Sequence, residues 1–175
     1  MRPETDMSEL FAQDPDLIEV GIGQVAVAEA PKRLLTPALG SCVGVAVYDP
    51  VSRRGGLAHI MLPTVSSGTS GDDADLLGRF ADWAVPNLVQ QLVDAGSLRR
   101  RLEAKLAGGA AMFRGEASVG GVGERNLVEV RRQLELTSVR LVAEDTGDAY
   151  ARTVELVLQT GEFYVRSYQF GVRKL

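Results

Sequence analysis

The chain carries one cysteine, Cys42, and one histidine, His59, 17 positions apart. A thiol near its free pKa is mostly protonated at neutral pH, and an imidazole within reach supplies the base that lets it attack an amide carbonyl. The pair therefore points to acyl transfer through a thioester, and the residue types alone serve any amidase or protease equally well. Thr36 offers a hydroxyl that can hydrogen-bond the imidazole and fix its orientation, the part of the third group in a triad. Each residue also has a plain structural alternative: a small buried thiol, a satisfied core histidine between Ala58 and Ile60, and a turn hydroxyl before Pro37. On composition alone these alternatives outweigh catalysis. A zinc centre is rejected, because one His and one Cys leave the common ligand sets to be completed by carboxylates at no recognisable spacing. No metal or cofactor is expected.

For Cys42 and His59 to meet, the chain between them must fold back. VGVAVYD from Val43 to Asp49 reads as a strand, DPVSRRGG as a turn, and GLAHIMLP from Gly56 to Pro63 as the returning strand, which makes a hairpin. LLTPALGS, punctuated by Pro37 and Gly40, delivers Cys42 to a junction between loop and strand. Pairing Asp49 with Gly55 in an unbulged ladder sets Cys42 opposite Leu62 and His59 on the other face. Cys42 is therefore expected to leave the ladder through a bulge or sharp turn, helped by Gly40 and Gly44. The same turn can aim backbone N–H groups at a substrate oxygen.

The remaining elements give the frame. Residues 1–16 read as a flexible N-terminal arm, and residues 17–175 as a single domain. Leu17 to Ala30 forms two short strands or one bulged strand, broken around Gly21 and Gly23; GIGQVA there does not fit a dinucleotide-binding loop. Thr64 to Ala74 reads as a surface loop. A helix spans 72–95, kinked or restarted at Pro86 and ended by Gly96. Arg101 to Ala107 is a strand broken by Gly108 and Gly109, and Met112 and Phe113 beyond it are core or a docking patch. A helix follows from Glu124 to Leu136, then a strand from Ser138 to Ala143. Glu144 and Asp145 point to different sides of that strand's end and read as a solvated turn rather than an acid–base pair. RTVELVL and EFYVRSY close the chain as a hairpin. Sequential strands outnumber helices, so an α+β layered domain is favoured over a doubly wound parallel sheet. The formal charge of -4 argues against nucleic acid or an anionic membrane as partner. No apolar run approaches the length of a membrane span, and the acidic N-terminus is unlike a signal peptide, so a cytoplasmic location is expected.

Five segments together carry a resemblance. TPALGSCVGVAVYDP from Thr36 to Pro50, GLAHIMLP, AKLAGGAAMF from Ala104 to Phe113, VGERN from Val122 to Asn126, and EDTGDAYAR from Glu144 to Arg152 resemble, in order and spacing, the chemoreceptor glutamine deamidases of the CheD family. The resemblance implies a layered α/β/β/α sandwich of mixed sheets with outer helices, akin to the cysteine deamidase toxins. It implies a protein-glutamine glutaminase that hydrolyses selected glutamine side chains of methyl-accepting chemotaxis receptors to glutamate and releases ammonia. On this sequence it makes Cys42 the nucleophile, His59 the general base and acid, and Thr36 the orienting hydroxyl. It also implies binding to the chemotaxis phosphatase CheC, with the Phe113 segment as contact. The sequence departs from the family at Gly147-Asp148 and Ala151-Arg152, where paired glycines and glycine-arginine are usual, and at Leu106-Ala107, where an aromatic usually follows the lysine. The alternative is a non-catalytic binding module that regulates the receptors or CheC.

Overall fold

Val43 to Asp49 is apolar at almost every position, the pattern of a strand covered on both faces, and it occupies the centre of a sheet. A computed structural model describes residues 14–65, 74–113 and 120–175. The strands are β1 (Leu17–Glu19), β2 (Val25–Glu29), β3 (Arg33–Leu39), β4 (Val43–Asp49), β5 (Arg54–Ile60), β6 (Glu103–Gly108), β7 (Arg140–Thr146), β8 (Arg152–Val157), β9 (Glu162–Ser167) and β10 (Gly171–Lys174). The helices are α1 (Ala74–Leu77), α2 (Ala81–Asp94) and α3 (Val122–Leu136). One sheet runs β1-β3-β8-β9-β10 and the other β2-β5-β4-β6-β7. Both are mixed: β1 and β3 are parallel, as are β6 and β7.

Alternation along the strands builds two cores. On β4, Val43, Val45 and Val47 face α2 and α3, where Leu88, Leu92, Val130 and Leu134 complete one cluster. Ala46, with Leu57 of β5, faces the other sheet and packs on Leu34, Val154, Leu156 and Phe163. The expected α+β class and mixed sheets are thus present. The fourth layer is not seen among the described residues: both long helices cover the same sheet, and the order is α/β/β. The outer face of the first sheet explains why, since it carries charge instead of an apolar stripe. Glu155 bonds Arg33 at 2.5 Å and Arg166 at 2.7 Å across three strands, and Lys174 bonds Glu162 at 2.8 Å.

Several elements differ from the sequence reading. The loop expected before Cys42 is strand β3, with a register shift between Thr36 and Leu39 and Ala38 at φ 58°. The bulge lets Thr36 and Leu39 both point inward, breaking the alternation. The helix interruption falls at 78–80 and not at Pro86, which sits inside α2. Gly96, at φ 102°, ends α2 as expected. GVRK adds β10 beyond the closing hairpin. Asp14 pairs with Arg33 and Lys32 bonds the Pro15 carbonyl at 2.7 Å; residues 1–13 of the arm and 66–73 of the surface loop lie outside the described residues.

The helix layer seats closely on β5. A Cβ on Gly56 would lie 2.3 Å from Leu88 Cδ1 and 2.8 Å from the Ala26 carbonyl oxygen. Gly56→Ala should therefore cost about 1–3 kcal/mol by overpacking, read as a lower urea midpoint; an unchanged midpoint would refute this seating.

Candidate active site

The hairpin register decides which face each catalytic candidate occupies. Asp49 pairs with Arg54, and the ladder continues to Gly44 opposite His59 and Val43 opposite Ile60. This is one residue away from the Asp49–Gly55 pairing read from the sequence, and the slip reverses parity. Cys42, two residues before Gly44, belongs on the same face as His59 and need not cross the sheet. The turn sets this register: the Asp49 carboxylate accepts the Val51 and Ser52 N–H groups at 3.0 and 3.4 Å, and Arg53 adopts φ 52°. Asp49 is fully buried and bonded to Arg101 at 2.8 Å. Despite the burial that opposes ionisation, these bonds hold its carboxyl down at about 2.

His59 is 2% exposed and faces the space between the sheets. Its backbone is held on both sides, N–H to the Gln24 carbonyl at 3.1 Å and carbonyl to the Gly23 N–H at 3.0 Å. Across the gap, Thr36 Oγ1 lies 2.7 Å from His59 Nδ1 and 2.5 Å from the Val20 carbonyl oxygen. The carbonyl can only accept, so the single hydroxyl proton goes to Val20 and the hydroxyl oxygen accepts the Nδ1 proton. This assigns the Nδ1–H tautomer and leaves Nε2 with a lone pair. Nε2 is buried without a hydrogen-bond partner among the described residues, an uncommon and costly state for a polar atom. Burial lowers the imidazole pKa to about 4, partly opposed by the Val20 carbonyl, so His59 is neutral at pH 7.

Cys42 is partly exposed, and burial raises its thiol above the ordinary range. The resting pair is a neutral thiol and a neutral imidazole, and no hydrogen bond joins them. The bend that carries Cys42 is held from behind at three consecutive carbonyls: Gly40 accepts the Ala110 N–H at 2.9 Å, Cys42 the Gly109 N–H at 2.8 Å, and Ser41 the Asn126 Nδ2 at 3.0 Å. Backbone approach here demands glycine. A Cβ on Gly108 would lie 2.2 Å from the Cys42 carbonyl oxygen, and Gly108 and Gly109 have φ of 103° and 68°.

Behind this first brace lies another. Gly147 N–H bonds the Gly108 carbonyl at 2.9 Å, and Ala111 N–H bonds the Asp148 carbonyl at 2.8 Å. Arg152, 1% exposed, holds that turn closed, donating to Asp145 at 3.0 Å, to Gly147 O at 2.9 Å and to Tyr150 O at 3.2 Å. Asp145 also accepts from Arg173 at 3.0 Å. Glu144 does point the other way, to Arg131, yet Asp145 is no solvated turn residue: it is buried and ion-paired with the buried Arg152. Asp148 takes φ 58°, a conformation Asp tolerates better than most residues.

Asn126, in the VGERN segment, is a site residue to which the sequence reading assigns no role. Its signal was position: four residues before Val130, it lies on the apolar face of α3, where a polar side chain needs partners.

The His59 environment makes stability depend on pH. Its folded pKa lies below the unfolded value of 6.5, so the unfolded chain binds the extra proton between those limits. Stability from this site is complete above pH 6.5 and falls as pH drops toward 4, by about 3 kcal/mol. Urea unfolding of His59→Gln should show a shallower pH slope in that window than the wild type; identical slopes would contradict the burial of a neutral imidazole.

Known proteins share this arrangement's sequence. Residues 61–167 match the family model described as CheD chemotactic sensory transduction. The chain is 45% identical over 161 residues to the probable chemoreceptor glutamine deamidase CheD 2 of Geobacter metallireducens, covering 91% of this chain and 98% of that protein. It is 44% identical over 152 residues to the chemoreceptor glutamine deamidase CheD of Thermotoga maritima, covering 87% and 92%. The first of these matches is too extensive to leave out Thr36, Cys42 or His59, which precede the family-model match. Among solved structures, a hypothetical protein YfiH of Bacillus licheniformis superposes with TM-score 0.43 at 15% identity over 69% of this chain and 49% of that one. The chain belongs to the CheD family.

Proposed function

We propose that the protein deamidates glutamine side chains of chemotaxis receptors, converting them to glutamate through a thioester on Cys42. The relatives named above are chemoreceptor glutamine deamidases. The observation that carries the mechanism is the chain Val20 carbonyl, Thr36 hydroxyl, His59 Nδ1–H, which leaves Nε2 as a proton acceptor on the Cys42 face of the hairpin.

In the first half-reaction Cys42 Sγ bonds to the carboxamide carbon as its proton passes to His59 Nε2. Because the resting pair is neutral, this transfer accompanies attack and no preformed ion pair is needed. The N–H groups of Ser41 and Cys42 take no backbone acceptor among the described residues. They lie on the bend whose carbonyls are tied away, and they can receive the developing oxyanion. Collapse breaks the C–N bond, and the His59 proton leaves with ammonia. Water then attacks the thioester, gives its proton to Nε2, and the thiol is restored as the glutamate side chain departs.

We place this activity in a single deamidase domain of residues 17–175, acting in the cytoplasm; no helix among the described residues is long and apolar enough to cross a membrane. Phe113, 74% exposed, is the proposed contact for the phosphatase CheC.

Peptide mass spectrometry of receptor cytoplasmic fragments tests the reaction. The wild type should add the mass change of amide to acid at specific glutamines, and Cys42→Ala should add none; equal conversion by both would sink the mechanism. Thr36→Val, which keeps the shape and removes the hydroxyl, should lower kcat by about 10–100-fold, and Thr36→Ser should restore most of it. In the resting enzyme, iodoacetamide labelling of Cys42 should rise only above the ordinary thiol range of about 8.5, as the raised thiol requires.

A further inference from the structure

One side chain touches both elements of the candidate catalytic pair. Asn126 Nδ2 donates to the Ser41 carbonyl and to the Met61 carbonyl, each at 3.0 Å. Ser41 precedes the nucleophile, and Met61 lies two residues beyond His59, directly after the end of β5. Neither carbonyl has another donor among the described residues. Asn126 is fully buried near the start of α3, and its Oδ1 has no partner among the described residues. A buried amide that leaves one atom unsatisfied is costly, and a site that tolerates this cost is holding something in place.

The backbone packing gives the amide a fixed base. Gly123 approaches so closely that a Cβ there would lie 2.6 Å from the Gly109 carbonyl oxygen, and a Cβ on Gly109 would lie 2.5 Å from Leu127. The first turn of α3 is therefore locked to the 108–110 segment that grips the Gly40 and Cys42 carbonyls. Those backbone bonds anchor the bend to β6 but do not reach β5. Beyond the β4–β5 ladder, which ends at Val43 opposite Ile60, Asn126 adds a side-chain link between the bend itself and the strand that carries His59.

We infer that Asn126 is a positioning residue for deamidation, setting the placement of Cys42 relative to His59 by bridging the Ser41 and Met61 carbonyls. The inference rests on the catalytic roles proposed above for Cys42 and His59. With the bridge removed, Ser41 is released, the bend loosens, and the thiol becomes more exposed while its geometry toward Nε2 is lost.

Two readouts on the full chain should move in opposite directions. With a receptor cytoplasmic fragment as substrate, Asn126→Ala should lower kcat by about 100-fold with KM within about two-fold, while iodoacetamide labelling of Cys42 at pH 7.5 becomes faster than in the wild type. Asn126→Ser, which keeps one donor, should fall between them and supplies the test if the alanine variant does not fold. Leu134→Ala, a buried truncation two turns further along α3, is the control for plain loss of stability. Unchanged labelling in the Asn126 variants, or a loss of kcat no greater than in Leu134→Ala, would overturn the inference. If the wild type itself converts no glutamine, the proposed function fails, and labelling still decides whether Asn126 holds the bend.

Discussion

The site depends on one hydroxyl that spans the gap between two sheets. Thr36 belongs to β3 and His59 to β5, and the only way for these strands to address each other is face to face. The β1–β2 connection passes from one sheet to the other and brings the Val20 carbonyl to the junction, itself fixed by the Val20 N–H bond to Leu35 O at 2.7 Å. That carbonyl consumes the hydroxyl proton, so Thr36 can only accept from the imidazole. A backbone oxygen thus selects the tautomer of a side chain on the opposite sheet. Gly44 belongs to the same constraint: a Cβ there would lie 2.8 Å from Leu39 Cδ1 and 3.7 Å from the Thr36 methyl, so a larger residue opposite His59 would push the sheets apart.

The motifs distant from Cys42 are better understood as a stacked support than as separate sites. Gly109 and Ala110 grip the Cys42 and Gly40 carbonyls, Asn126 takes the Ser41 carbonyl between them, and the turn closed by Arg152 and Asp145 grips the 108–111 segment in turn. Each layer exposes backbone that needs partners, and each is satisfied by the next. The cost is a buried cation: Arg152 is one of the largest fully buried side chains, and it is tolerable because a carboxylate, two carbonyls and the Tyr150 ring, 4.0 Å from the guanidinium carbon, surround it.

Much of this was legible beforehand. Unique Cys42 and His59, the hairpin between them, both long helices and the closing strands follow from residue types and periodicity. What the sequence hid were features in which a single residue changes the count. A four-residue turn after Asp49, in place of five, reversed the face assigned to Cys42. The Pro37–Ala38 bulge disguised β3 as loop by breaking its alternation. The charged outer face of the first sheet, spread over β3, β8 and β9, becomes a ladder only once the strands are paired. Asn126 needed its partners, which are carbonyls that no side-chain pattern announces.

All of this requires that His59 rest neutral, with its proton on Nδ1 and its lone pair on Nε2. Because the chain has a single histidine, nitrogen-15 NMR of a histidine-labelled sample needs no assignment. At pH 7 the spectrum should show one protonated ring nitrogen coupled as Nδ1–H and one unprotonated Nε2, with protonation only near pH 4. A ring protonated at Nε2, or an imidazolium at pH 7, would contradict it.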